Sequence, residues 1–272
     1  MISKQAGAMD DAAAAAESIS GIFRAMKLPK LADTDLYLGM PLSMLENLHG
    51  ALCEQQSEDD EKKFLNRMKY AGIFRERAAD TFKWDDDTYP VAEPGAIEEA
   101  LSIGFIRQLR SLIVAGPPGA GKTLLATIIA CKAIRAGFSV HYRTAHDIAT
   151  ELREAKSGKT LTGCIKKLQA RDVLVVEDVT FATFDKPTAQ AFISVMDKRY
   201  GRKTTIITSN GNINEWAASF PDGAMGSAVL GRFYEDAILI NMNGAEDMRL
   251  KKAKGRLCGS RAGSGDEGGA RA

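Results

Sequence analysis

The sequence is short of several things, and each shortage excludes a class. Its 36 basic and 35 acidic side chains leave a formal net charge of +1. No global field therefore draws it to nucleic acid or to a membrane, and any such contact needs a local patch. Cys53, Cys131, Cys164 and Cys258 show no paired short spacing, which excludes a zinc ribbon and a disulfide framework and reads as the free thiols of a cytoplasmic protein. His49, His141 and His146 carry no metal-ligand spacing. No apolar run approaches the roughly 20 residues that span a bilayer. The alanine run at residues 12–16 sits among Asp10, Asp11 and Glu17, without the basic and then apolar order of a signal peptide.

What is present is a chain of 272 residues, 45% of them hydrophobic, enough for one core domain with a smaller appendage. Residues 1–20 are small and polar and residues 253–272 are rich in Gly and Ser, so both ends are expected to be disordered. A helical region is expected over 21–90, as a DNA- or partner-binding appendage. Its clearest pattern, at 58–77, sets Phe64, Leu65, Met68 and Ile73 on one face. Lys62, Lys63, Arg67 and Lys69 spread over the rest, either as a solvated face or as a contact for DNA or a partner. Asp85, Asp86, Asp87, Pro90 and Pro94 mark a linker or loop crossing.

From Ser111 onward short β-branched runs alternate with helical stretches. The runs begin at Leu112, Val140, Val173, Thr204 and Ile238. Continuous apolar strands between helices predict an α/β fold: a three-layer α/β/α core over 91–252 around a parallel five-stranded sheet covered on both faces. Thr144 followed by Asp147 predicts a capping box.

Gly116, Pro117, Pro118, Gly119, Ala120, Gly121, Lys122 and Thr123 fit G-x-x-x-x-G-K-[ST] between an apolar strand and a helix, the context this phosphate loop requires. The loop's backbone N–H groups and the helix N-terminus favour a triphosphate, Lys122 reaches its terminal phosphates, and Thr123 supplies a hydroxyl to Mg²⁺. ATP and Mg²⁺ are therefore the expected ligands. A carboxylate at the end of a neighbouring buried strand is also needed, and Val176 is followed by two, Glu177 and Asp178. By position Glu177 is the metal-side group and Asp178 the base, unless a shift of the chain exchanges them. A base one methylene shorter than usual predicts slow hydrolysis. Asn210, ending the run from Thr204, is placed to hold a water beside the γ-phosphate. Arg232 and Arg249 are isolated cations that could approach phosphate.

In this order and spacing the elements resemble the AAA+ ATPases of the IstB and DnaC group, a branch of the P-loop NTPases, over roughly residues 60–252. The resemblance is carried by the phosphate loop, residues 172–178, Arg199-Tyr200, residues 204–210, Leu230-Gly231-Arg232 and residues 247–251. It implies that Asn210 is a first sensor, Arg232 a finger offered to the ATP of a neighbouring subunit and Arg249 a second sensor within the same subunit. It also implies a homo-oligomer that binds DNA. Two functions compete within the group: a transposition helper that assembles on double-stranded target DNA and recruits a transposase, and a loader that grips a replicative helicase on single-stranded DNA. Residues 60–85 look more like the helper. Glu177 before Asp178, and Gly231 before the finger, depart from the group's pattern. Outside the group, a P-loop kinase would need an arginine-rich lid that nothing marks, and a nucleotide-switch scaffold would bind ATP with little turnover. For DNA contact, Arg153, Lys156 and Lys159 join the basic residues of 62–69.

Overall fold

Five apolar runs form strands in the computed structural model, which describes residues 2–37, 39–74, 93–181, 183–211, 215, 216, 220–245 and 247. They are β1 (Leu112–Ala115), β2 (Val140–Thr144), β3 (Val173–Glu177), β4 (Thr204–Ser209) and β5 (Ile238–Asn241). All pair in parallel in the order β2-β3-β4-β1-β5. Every residue of β3 and β4 is buried, as the unbroken hydrophobic runs of doubly covered strands require, whereas edge strand β5 alternates buried and exposed.

The chain divides into two compact units, residues 1–66 and 67–272. The first holds α1 (Ile2–Ala25), a 3₁₀ turn at Thr34–Tyr37 and most of α2 (Leu42–Ala71). The expected disorder of residues 1–20 is thus corrected. The alanine run has the highest helix propensity available, and α1 buries Ala16, Ile19 and Phe23 in one cluster with Tyr37 and Leu45. The unit boundary at 66/67 also falls inside α2, whereas the sequence placed it at 90/91. Residues 75–92 and 248–272, which include the acidic linker and the C-terminal tail, lie outside the described residues.

The second unit adds α3 (Pro94–Ser102), α4 (Gly104–Arg107), α5 (Lys122–Arg135), α6 (Ala145–Ser157), α7 (Leu161–Ala170), α8 (Lys186–Arg199) and α9 (Gly223–Asp236). Pro94 opens α3 at its first turn, where a missing N–H costs nothing. Leu125, Ala126, Ile128, Ile129, Ala130, Cys131, Ala133 and Ile134 are buried on α5, so almost its whole circumference is covered, one face by β2, β3 and β4 and another by α3. Thr144 and Asp147 form the expected capping box of α6: Asp147 N–H donates to Thr144 Oγ1 at 3.0 Å, and Thr144 N–H to Asp147 Oδ2 at 3.4 Å. Phe184, Phe192 and Phe220 stack, with neighbouring centroids 5.0 and 5.3 Å apart, in the core that α6, α8 and α9 share with β3 and β4.

Arg143 of β2 fastens the end of α2. Its Nη1 donates to the Ala71 carbonyl at 3.1 Å while Nε pairs with Glu151 at 2.8 Å. Gly72 has φ +93°, and a Cβ there would collide with this guanidinium, so glycine is required on both counts.

His141, one residue before Tyr142, is 1% exposed. Burial first, and then Arg143, Lys167 and Arg171 against the opposing Glu151, lower its pKa to about 4. Between about pH 6.5 and 4 the unfolded chain takes up a proton that the folded chain refuses. Stability is therefore full above that window and falls as the pH drops through it. We expect about 2 kcal/mol to be lost between pH 7 and 4.5 on this account. Urea unfolding at both pH values should show the loss shrinking by that amount in His141→Leu; an equal loss in both proteins would refute the assignment.

Candidate functional site

Strand order sets the site. β1 lies beside β4, and β4 beside β3, so the carboxyl ends of all three reach one edge of the sheet, where parallel α/β folds bind ligands. The register places Ala115 opposite Ser209, and Thr144 opposite Glu177. The loop after β1, the acids ending β3 and Asn210 ending β4 therefore become neighbours although far apart in the chain.

The loop is pinned at both ends. Gly116 N–H donates to the Ser209 carbonyl at 3.1 Å, and Gly121, with φ +97°, caps α5 in the left-handed region that glycine alone enters freely. Lys122 is 5% exposed, and its Nζ lies 2.8 Å from both the Gly116 and Pro117 carbonyls. The lysine thus holds the loop in a curl around its own ammonium, with the N-terminus of α5 behind it, a cradle for phosphate oxygens. Ala120 is buried, Pro117, Gly119 and Gly121 half-buried, Pro118 and Thr123 exposed. The Asp247 carboxyl group lies against Gly119, where a Cβ would stand.

Glu177 is 8% exposed, and its Oε1 is buried without a hydrogen-bond partner. Burial raises its pKa above the ordinary carboxyl value, against the lowering by the facing hydroxyls of Thr123 and Tyr142, a further rise from Asp178 and a lowering by Lys122. A buried carboxylate with an unsatisfied oxygen beside a threonine hydroxyl fits a hydrated divalent cation, whose charge and waters would complete it. Asp178 takes φ +52°, which aspartate tolerates better than most residues. Its N–H donates to Thr208 Oγ1 at 3.1 Å, and its Oδ1 accepts from Asn210 Nδ2 at 3.2 Å. The bent backbone thus turns Asp178 off the line of β3 towards Asn210, while Glu177 remains in the strand facing Thr123.

Arg232 pairs outside this group. Arg232 is exposed on α9, with Nη1 2.8 Å from Asp197 of α8. Arg249 lies outside the described residues. Lys62 pairs with Glu58 and Asp59, and Lys63 with Asp60, so much of the expected basic patch on α2 is neutralised within its own helix. Residues 151–171 carry six basic side chains against two acidic, and Arg153, Lys156, Lys159, Lys166, Lys167 and Arg171 are all exposed. Tyr142, Thr127 and Thr208 escaped the sequence reading. Tyr142 sits in an ordinary-looking strand, and only the register of β2 against β3 brings it to Glu177.

The profile of the family described as IstB-like ATP binding protein matches residues 27–255. The chain belongs to the IstB-like ATP-binding family. It is 28% identical over 213 residues to the insertion sequence IS5376 ATP-binding protein of Geobacillus stearothermophilus, covering 78% of this chain and 84% of the relative. The insertion sequence IS21 ATP-binding protein of Pseudomonas aeruginosa is 26% identical over 213 residues, covering 78% and 79%. Among solved structures, AMPPCP-bound DnaA from Aquifex aeolicus superposes with a TM-score of 0.52 at 21% identity, over 67% of this chain and 54% of that one, about half the initiator's length. The DnaC helicase loader gives 0.50 at 21% identity, over 61% of this chain and 96% of the loader. These likenesses establish the P-loop AAA+ fold for this IstB-like protein, and the family establishes ATP as its ligand. No helix among the described residues is long and apolar enough to cross a membrane.

Proposed function

We propose that this IstB-like protein binds ATP with Mg²⁺ and hydrolyses it between the subunits of a homo-oligomer on duplex DNA, as the helper of a transposase. The observation that carries the reading is the meeting of phosphate loop, Glu177, Asp178 and Asn210 at one sheet edge. Thr123 and Glu177 would hold Mg²⁺, which when bound offsets the charge of the phosphates. Lys122 leaves its loop carbonyls for the terminal phosphates. Asn210 engages one oxygen of Asp178, and the other is left to take the proton of a water attacking the γ-phosphate. Arg232 reaches the ATP of a neighbouring subunit by giving up Asp197, an exposed pair worth at most about 1 kcal/mol; Arg249 serves its own subunit. Because each ATP is shared between subunits, binding promotes assembly and hydrolysis weakens it.

Two features support the helper role. The relatives named above belong to insertion sequences, and the exposed basic side chains of α6 and α7 offer a surface that an oligomer would repeat along a duplex.

The test is an ATPase assay with and without duplex DNA, together with imaging of particles formed with ATP. Stimulated turnover and DNA-coated assemblies are expected. Asp178→Asn should retain ATP affinity and lose at least about 100-fold in turnover. Background turnover with intact ATP-driven assembly would replace the enzyme by a nucleotide-switch scaffold. Assembly solely with a hexameric helicase and single-stranded DNA would favour the loader.

A further inference from the structure

We propose that the end of α2 is a base-stacking surface: Tyr70 and Phe74 take up unpaired DNA bases while Arg67 and Lys69 hold the flanking phosphates. The inference rests on the reading that the chain binds DNA, and it names a contact that the basic side chains of α6 and α7 do not supply. Tyr70 is 85% exposed and Phe74 91%, the two most exposed large apolar side chains among the described residues. Neither makes a hydrogen bond or a ring contact, and the exposed Arg67 and Lys69 make no ion pair. Covering an aromatic ring removes a large apolar area from water, so two rings left in solvent on one short stretch are a ready source of binding free energy. The helix end that carries them is pinned. Gly72 N–H donates to the Lys69 carbonyl at 3.1 Å and Ile73 N–H to the Met68 carbonyl at 2.9 Å, the paired bonds that close a helix at a left-handed glycine. Met68, Ala71 and Ile73 are buried around this stop, and Arg143 holds the Ala71 carbonyl. Tyr70 lies on the last turn, one turn from Arg67, and Phe74 two residues past the glycine. A fixed mount for the rings lowers the entropy lost on binding.

Charge selects the partner. Residues 64–77 carry Arg67, Lys69, Arg75 and Arg77 in sequence against Glu76 alone. An apolar protein surface that covered the two rings would also strip water from these cations without neutralising them, at a cost. Nucleic acid offers both complements at once, a flat apolar face on every base and a phosphate at every step. In an intact duplex the base faces are covered by their neighbours. Opening a step there costs at least what one stacked ring returns, which is on the order of tenfold in affinity. The rings therefore gain little on a perfect duplex and act in full where bases are already unpaired.

Fluorescence anisotropy with the full chain and ATP tests this, on a labelled duplex that is either fully matched or mismatched over a few central base pairs. The parent should bind the mismatched duplex on the order of tenfold more tightly. The double variant Tyr70→Ala, Phe74→Ala should lose that preference and keep the parent's salt dependence. The double variant Arg67→Ala, Lys69→Ala should keep the preference, weaken both duplexes and reduce the salt slope by about 1 to 2. All four side chains are exposed, so the substitutions leave the core intact. A ring variant that retains the preference, or a parent that binds both duplexes equally, would overturn the proposal. Equal weakening of both duplexes in the ring variant, together with lost self-association, would replace it by a contact between copies of the chain. A parent that binds ATP but neither duplex would instead overturn the DNA reading beneath it, and the proposal with it.

Discussion

Lys122→Ala is expected to weaken ATP binding by at least about 100-fold, because a desolvated cation held next to phosphate is worth several kcal/mol and no other side chain of the loop carries positive charge. Lys122 is 5% exposed and bonded to two carbonyls of its own loop. It is therefore already dehydrated and pointed inward, so binding ATP exchanges one set of oxygens for another instead of stripping water from a free ammonium. The substitution leaves the Gly116 and Pro117 carbonyls without this donor, the first at a buried residue and the second at a half-buried one. Calorimetry measures the affinity, and thermal unfolding offers a second readout. The parent should gain about 2.7 kcal/mol of apparent stability at a ligand concentration 100 times its Kd, and the variant almost none. An affinity within threefold of the parent's would sink the assignment of Lys122.

The second large effect concerns Arg199, which touches neither the loop nor the acids. It is fully buried at the end of α8, and burial pulls its pKa down to about 10 against the opposing charge of Asp172, so it stays cationic at neutral pH. Nη1 donates to the Leu168 carbonyl at 2.9 Å and to Arg171 at 2.8 Å, Nη2 to the Thr204 carbonyl, and Nε to Thr205 Oγ1 at 3.1 Å. One guanidinium thus closes the C-terminal end of α7, where a cation suits the helix dipole, and joins it to the start of β4. Arg199→Ala would leave several buried carbonyls unpaired beside a cavity, at a cost of about 3–5 kcal/mol. Against a typical domain stability of about 5–15 kcal/mol that is a severe loss. Urea unfolding would measure it. Arg199→Lys should recover a minor part, since an ammonium cannot reproduce the planar fork. A loss below 1 kcal/mol in the alanine variant would show that the carbonyls find other donors.

Arg199 marks where sequence reading stopped. It served there only as one residue of a matching stretch, and nothing in its neighbours distinguishes a buried staple from a surface arginine at a helix end. The strands were legible because strands covered on both faces must be continuously apolar, and the phosphate loop because few residue orders wrap a backbone around an anion. The amino-terminal helix was misread for a related reason. A run of alanines is too small to signal a core, yet small side chains allow close packing once Phe23, Tyr37 and Leu45 supply the bulk. The basic residues at 62–69 also looked stronger in sequence than in space, since Glu58, Asp59 and Asp60 lie one turn away on the same helix.

The sequence alone therefore determined the alternation of elements, the loop that receives phosphate and the pair of acids at the end of one strand, all properties of local residue order. Tertiary structure decided which distant residues meet. Asp178 meets Asn210 because β4 lies between β1 and β3, Glu177 comes near Tyr142 through the register of β2, and Arg232 stands exposed, paired with Asp197. The physical reason is that local order sets backbone conformation and periodicity, while strand order and register come from how the whole molecule buries its apolar faces.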